Sequence, residues 1–231
     1  MNILLFAATG FLHLNLFFIA WSRCPSFSRA LMWYRVCAHW CTFVAGAVLT
    51  VLWERTNRYG FFDASECVLT TTSSEIDMIL TFEMMYCLLD ACAHAAFRAS
   101  WQPDMILHHA LTVGLILGGG ARTHAALTMH FLAVCGPASL ALLSRGLLDA
   151  SRKSLTVVLD MFFAASFIWA RTILLPLSFM NQLRQCPTWD RSSFALHISL
   201  LTLGFYWSGR VGVKVKKKII NLILGKGLVP R

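Results

Sequence analysis

Charge is what this chain has least of. Asp, Glu, Lys and Arg make up 13% of its residues, against roughly 25% in a soluble globular domain. That excludes a fold solvated on all sides. With 57% hydrophobic residues, the chain reads as an integral membrane protein, in one domain. Carboxylates are scarcest, 11 acidic against 20 basic residues for a net charge of +9. In a membrane chain such an excess marks cytosolic loops, so nucleic acid is not expected as a partner. No CxxC pair occurs, which excludes a zinc ribbon. No HxxxH occurs either, and Met105 stands where an HxxHH ending at His109 needs histidine. Both absences argue against a di-iron centre, and no metal is expected. On residue types alone, a single-metal site on His94, His108 and His109 with Asp90 stays open. Internal repeats and low-complexity segments are missing as well.

What is present is a series of apolar stretches near the ~20 residues that a helical membrane span needs. Seven are expected as transmembrane helices: 2–21, 30–53, 76–97, 104–120, 123–149, 155–179 and 194–213. The first has no basic residue ahead of its apolar core, so it reads as a span and not as a signal peptide. Gly118, Gly119 and Gly120 blur the end of the fourth, and Gly136-Pro137 predicts a kink in the fifth. The connection 54–75 closes on Thr70-Thr-Thr-Ser-Ser-Glu75, capping chemistry for the third.

Basic residues orient the spans. Arg23, Arg29, Arg98, Arg152, Lys153 and the tail from Lys214 to Lys226 fall on one side, which is richer than the side of Arg55, Arg58, Arg122, Arg184 and Arg191. The richer side and the C-terminus are expected in the cytosol. The layout is then a first span with its loop over 1–29, a main domain over 30–213, and a basic cytosolic tail over 214–227. Residues 228–231, Leu-Val-Pro-Arg, read as the remnant of an engineered protease site. Among eight cysteines, Cys67 and Cys186 fall in lumenal loops, where a disulfide is open to them. The other six act as small hydrophobes in or beside spans.

The stretch that organises this chain is Asp104-Met-Ile-Leu-His108-His109-Ala-Leu-Thr112. Two adjacent imidazoles sit inside an apolar run, and ionisable groups at membrane depth face a bundle interior or a wet cavity. Asp104, His108 and Thr112 share one helix face, with His109 one step round. On the third span Glu83, Asp90 and His94 form a stripe. Arg35 and His39 pair on the second, and Asp160 and Arg171 share a face of the sixth, ~16 Å apart, too far to bond each other. These two are expected to pair with neighbouring helices, and His13, His39 and His197 to be packing or interfacial residues. Two uses of the seam besides a metal are open: acyl transfer, with an imidazole as base or nucleophile oriented by a carboxylate, and a non-catalytic role in binding lipid or a partner protein.

Tyr86-Cys-Leu-Leu-Asp90 followed one span later by Met105-Ile-Leu-His108-His109-Ala-Leu-Thr112 resembles the TLC-domain family, which includes ceramide synthases and small lipid-regulating proteins. Pro137 and Phe167-Ile-Trp-Ala-Arg171 are weaker echoes. The resemblance covers roughly 30–213. It implies an all-α polytopic membrane protein, six helices forming a barrel around a central cavity with one additional span, in the endoplasmic reticulum. It also implies lipid chemistry in which the paired histidines pass an acyl chain, with fatty acyl-CoA as co-substrate and a membrane lipid as partner. The expected catalytic residues are His108, His109 and Asp90, and the expected substrate-facing residues are Glu83, His94, Thr112, His130 and Arg171. Ceramide synthases carry an HDxxD segment on the next helix. Here Met129-His130-Phe-Leu-Ala-Val-Cys-Gly-Pro137 has no carboxylate, so a transferase would work with a modified site. The alternatives are a lipid-binding regulator of membrane composition and a sorting or assembly partner of other membrane proteins.

Overall fold

The computed structural model describes residues 3–57, 74–96, 102–148, 152–185 and 189–223. The Cys67–Cys186 pair, the cap before the third span, the tail beyond 223 and the side chain of His130 lie outside the described residues.

The described residues hold helices and no strand. They are α1 (Ile3–Arg23), α2 (Phe27–Asn57), α3 (Ser74–Ala96), α4 (Pro103–Leu117), the single turn α5 (Gly120–Thr123), α6 (Ala125–Leu147), α7 (Lys153–Trp169), α8 (Leu175–Gln185) and α9 (Arg191–Ile223). Helices are what an apolar chain must form where water cannot serve the backbone. Three of them are long and apolar enough to cross a bilayer: Leu4–Arg23, Leu127–Leu147 and Ser154–Arg184. Charged seam residues dilute α2 with Arg35 and α3 with Glu83 and Asp90.

Several boundaries differ from the apolar stretches. The fourth stretch ends at Leu117, because Gly118 caps the helix and Gly119 turns back at φ 80°, a backbone that glycine adopts at no steric cost. With 15 residues, α4 is ~22 Å long. Helix α6 continues through Pro137. The sixth stretch runs on to Gln185, as α7 passes into α8 through a π-helical turn, Ala170–Leu174. The cause is Pro176, which has no N–H for the carbonyl of Thr172 and whose ring crowds it, so the helix widens there. Helix α9 has 33 residues, ~50 Å. It begins ahead of its apolar stretch because Asp190 caps its start, where Asp190 Oδ1 accepts the Ser193 N–H at 2.8 Å, and it also runs past the stretch into the basic segment that ends at Ile223.

Contacts between helices run α2–α6–α7–α9–α4–α3 and back to α2, while α1 packs on α2 and α3. Glycines let α2 and α6 approach closely. A Cβ on Gly136 would stand 2.4 Å from Phe43 Cδ2, and one on Gly46 3.1 Å from Leu132 Cβ. Helix α1 is tied by His13, whose Nε2–H donates to the Phe82 carbonyl at 2.9 Å while Nδ1 accepts the Tyr34 hydroxyl at 2.9 Å. His13 is thus a packing residue, as expected. The outer faces are apolar, with Phe11 71% and Leu117 62% exposed. Contiguous apolar exterior of this kind marks contact with a membrane or another protein.

Candidate functional site

The seam converges on Asp90, which is 2% exposed. Arg35 Nε of α2 donates to Asp90 Oδ1 at 2.5 Å, and His109 Nε2–H of α4 donates to Oδ2 at 2.9 Å. One carboxylate of α3 therefore holds both neighbouring helices. Arg35 Nη2 also reaches His94 Nε2 at 3.1 Å. A guanidinium only donates, so His94 Nε2 accepts. The 3.4 Å approach of that same nitrogen to Asp90 Oδ2 is then a contact and not a hydrogen bond. Tyr86 packs edge-on against both His109 and His39. The cluster is a buried ion pair with two attached imidazoles, and such a pair tolerates the loss of neither partner.

The adjacent histidine turns elsewhere. One step along a helix rotates a side chain by ~100°, and His108 borders a cavity of about 120 Å³. Its buried Nδ1 has no partner, and its ring lies 5.3 Å from that of Trp207. Glu83, Thr112 and Arg171 line the same cavity. Its volume is comparable with the ~150 Å³ of an engineered cavity that takes benzene, so it encloses a headgroup or a few carbons and not a whole lipid. Thr112 spends its hydroxyl on the His108 carbonyl at 2.9 Å. Glu83 Oε1 has the Cys87 thiol at 3.8 Å.

Arg171 sits in the π-helical turn with its guanidinium over Phe167 at 4.7 Å and Trp207 at 5.4 Å. Among the described residues no carboxylate of a neighbouring helix pairs with it; it rests on ring faces and lines the cavity. The reason is geometric: Asp160 is engaged by Arg145 of α6 at 2.5 Å, and Asp90 by Arg35. Asp104 meets α9 on the face it shares with His108, accepting Trp207 Nε1–H at 2.8 Å and Arg210 at 3.3 Å.

The structure thus divides the expected site residues. Asp90, His94 and His109 belong to the buried cluster, while Glu83, His108, Thr112 and Arg171 border the cavity. His39 and His197, read as packing residues, line the cavity as well, because helices that pack inward place an isolated imidazole at the seam as readily as a paired one. Arg35 as the ion-pair partner and Trp207 as the meeting point of Asp104, His108 and Arg171 were not foreseen. The sequence signal for Arg35 was present, as an arginine at membrane depth requires a counter-ion.

The TLC domain, as a family model, matches residues 26–211. No curated protein and no solved structure matches the chain. The apolar helices fit an integral membrane protein, and the match takes in the Asp90 cluster and the cavity from end to end. The chain belongs to the TLC-domain family.

Proposed function

We propose that this protein is a membrane-embedded lipid acyltransferase in which His108 is the reactive imidazole. The observation that carries the reading is the position of His108: unlike His109, whose Nδ1 is also unpartnered, it stands at the wall of a cavity that presents a carboxylate and a guanidinium as well. The acyl donor would be a thioester such as acyl-CoA. His108 would take the proton from an amine or hydroxyl as that group attacks the acyl carbonyl. The carbon–sulfur bond then breaks, and the thiolate leaves with the proton from the imidazolium. Alternatively His108 attacks the thioester carbonyl first and the carbon–sulfur bond breaks to expel the thiolate; the acceptor then attacks the acyl-imidazole, freeing the imidazole and passing its own proton to the ring or the thiolate. Arg171 would take a phosphate or the developing carbonyl oxyanion through its planar donors. Asp90 and His109 act at one remove, by fixing α3 and α4.

In this reading the helices that contact one another in sequence, α2, α6, α7 with α8, α9, α4 and α3, form the barrel across the membrane of the endoplasmic reticulum. Helix α1 is a seventh span outside it, and the basic end of α9 faces the cytosol. Purified protein supplied with labelled acyl-CoA and an amine or alcohol acceptor should turn over, and His108→Ala should abolish turnover with the fold intact. Unchanged turnover in the His108→Ala/His109→Ala variant would refute the mechanism.

One observation favours a second reading. Asp90 is spent on Arg35 and His109, so no carboxylate orients His108 among the described residues. A cavity without an oriented base suits lipid binding without chemistry. Stoichiometric lipid by native mass spectrometry with no turnover would select that reading.

A further inference from the structure

Away from Arg171, His197 stands at the cavity wall and backs onto a second group of polar side chains, which acyl transfer leaves unused. Arg171 packs against Gly204 of α9. His197 lines the cavity seven residues earlier on that helix, ~10 Å away along the axis. The carbonyl of Ser193 lies 2.8 Å from His197 Nδ1. A carbonyl only accepts, so Nδ1 carries the proton and Nε2 of the neutral ring is a bare lone pair. That Nε2 is buried and has no donor, in a residue 1% exposed.

His197 is not alone. Its ring meets that of His124 edge-on at 5.6 Å, and His124 stacks on Trp189 at 3.6 Å and 12°. His124 is also 1% exposed, and both of its ring nitrogens lack a partner, as does Trp189 Nε1. Gln182, three residues beyond the Phe179 that stacks on His197, buries Oε1 unpaired. Native interiors rarely leave one such group unsatisfied; here three side chains in mutual ring contact do so, with Gln182 one turn along from Phe179. At the cavity wall beside them, Thr128 donates its hydroxyl to backbone carbonyls, which leaves its oxygen free to accept.

The unmet demand is mixed in sense and neutral in charge. His197 Nε2, Gln182 Oε1 and one His124 nitrogen want donors, while Trp189 Nε1 and the other His124 nitrogen want acceptors. The acid nearest to these rings, Asp190, is already bound to Ser192 and Ser193. A group that donates and accepts without charge answers this pattern, and hydroxyl is the simplest. The flat faces of Trp189 and Phe179 suit the C–H side of a polyol. We propose that His197, with His124 and Trp189, forms a subsite for a neutral diol on the ligand that fills the cavity. The subsite stands on the cavity and does not depend on His108 being reactive.

The test is binding in detergent, read by native mass spectrometry without any turnover. The probes are monoolein and methyl oleate, which share a chain and differ in the diol. Wild-type protein should prefer monoolein by about tenfold, the worth of one or two net hydrogen bonds. His197→Phe, which keeps the aromatic packing, should erase the preference while leaving thermal stability unchanged or raised, since an orphaned acceptor is removed. His197→Gln, which returns a polar atom near the Nε2 position, should restore part of it. If His197→Phe fails to fold, Thr128→Val should weaken the preference in its place. Equal binding of the two probes by wild-type protein overturns the proposal. So does a preference that survives His197→Phe, or stabilisation by zinc ion alone that vanishes in that variant.

Discussion

Asp90 accepts a hydrogen bond from His109 at 2.9 Å, while His108, one residue earlier, turns its ring to the cavity with Nδ1 unpartnered. The paired histidines therefore do different work. One closes a structural cluster, and the other faces whatever enters.

Separate substitutions should expose that division. His109→Ala removes a bond to a buried charge and should destabilise by about 1.5–3 kcal/mol. His108→Ala breaks no side-chain hydrogen bond among the described residues, so it should cost less stability than His109→Ala, and it should remove turnover or lipid binding. Thermal unfolding in detergent alongside the acyl-CoA assay separates the two, and equal loss of stability in both variants would contradict the division.

Asp90→Ala strands the Arg35 guanidinium in a buried site and should cost about 3–5 kcal/mol. Replacing both members, Arg35→Met with Asp90→Leu, should recover much of that loss, because no lone charge is left behind. A double-mutant cycle on denaturation midpoints measures the difference.

Gly136→Ala places a methyl 2.4 Å from Phe43 Cδ2 at the α2–α6 contact and should destabilise by about 1–3 kcal/mol. Phe43→Leu in the same chain should relieve it. A Gly136→Ala variant as stable as wild type would mean that these helices part more easily than their packing indicates.

Arg171→Lys keeps the charge but gives up the planar donors and the stacking over Phe167 and Trp207. Affinity for an anionic ligand, acyl-CoA or phospholipid, should fall about tenfold or more, with little change in folding. Titration of acyl-CoA against the two proteins reads this directly.

Asp190 lies ahead of α9, and the hydrogen bonds from Ser192 and Ser193 hold its carboxyl below the ordinary carboxylate range. A lowered value means that its stabilisation is present above the ordinary range, near pH 4, and is lost as pH falls through the folded value. Because the group is exposed, Asp190→Ala should cost near the lower end of capping effects, about 0.5 kcal/mol. The gap between variant and wild type should close in strong acid, as unfolding curves from pH 7 to pH 2 would show.

The order of Asp90 and the double histidine was legible in the sequence, because ionisable groups at membrane depth are rare enough to stand out. The assignment of each imidazole to cluster or cavity was not. Adjacent residues differ in direction by a fixed rotation, but only the neighbouring helix decides which direction is inward. Arg35 illustrates the same limit: its charge was visible, and its partner 55 residues away was set by the α2–α3 contact. His124, Trp189 and Trp207 gave no pattern at all, since a single aromatic or imidazole side chain looks the same in a core as at a site. Helix ends strayed where a cap such as Asp190 acted ahead of the apolar run or a turn such as Gly119 acted inside it.

The shortness of α4 bears on the membrane itself. Its 15 residues reach ~22 Å, while the hydrocarbon of an average bilayer is ~30 Å thick. Backbone at Gly118 and Gly119 cannot end in open acyl chains. On the reading that α4 is one of the spans, lipid beside it would dip inward by several ångström, at a modest elastic penalty for each ångström of mismatch. A thin bilayer would host this protein with less deformation than a sterol-thickened one, so partition between vesicles of short and long acyl chains becomes a property written into three consecutive glycines.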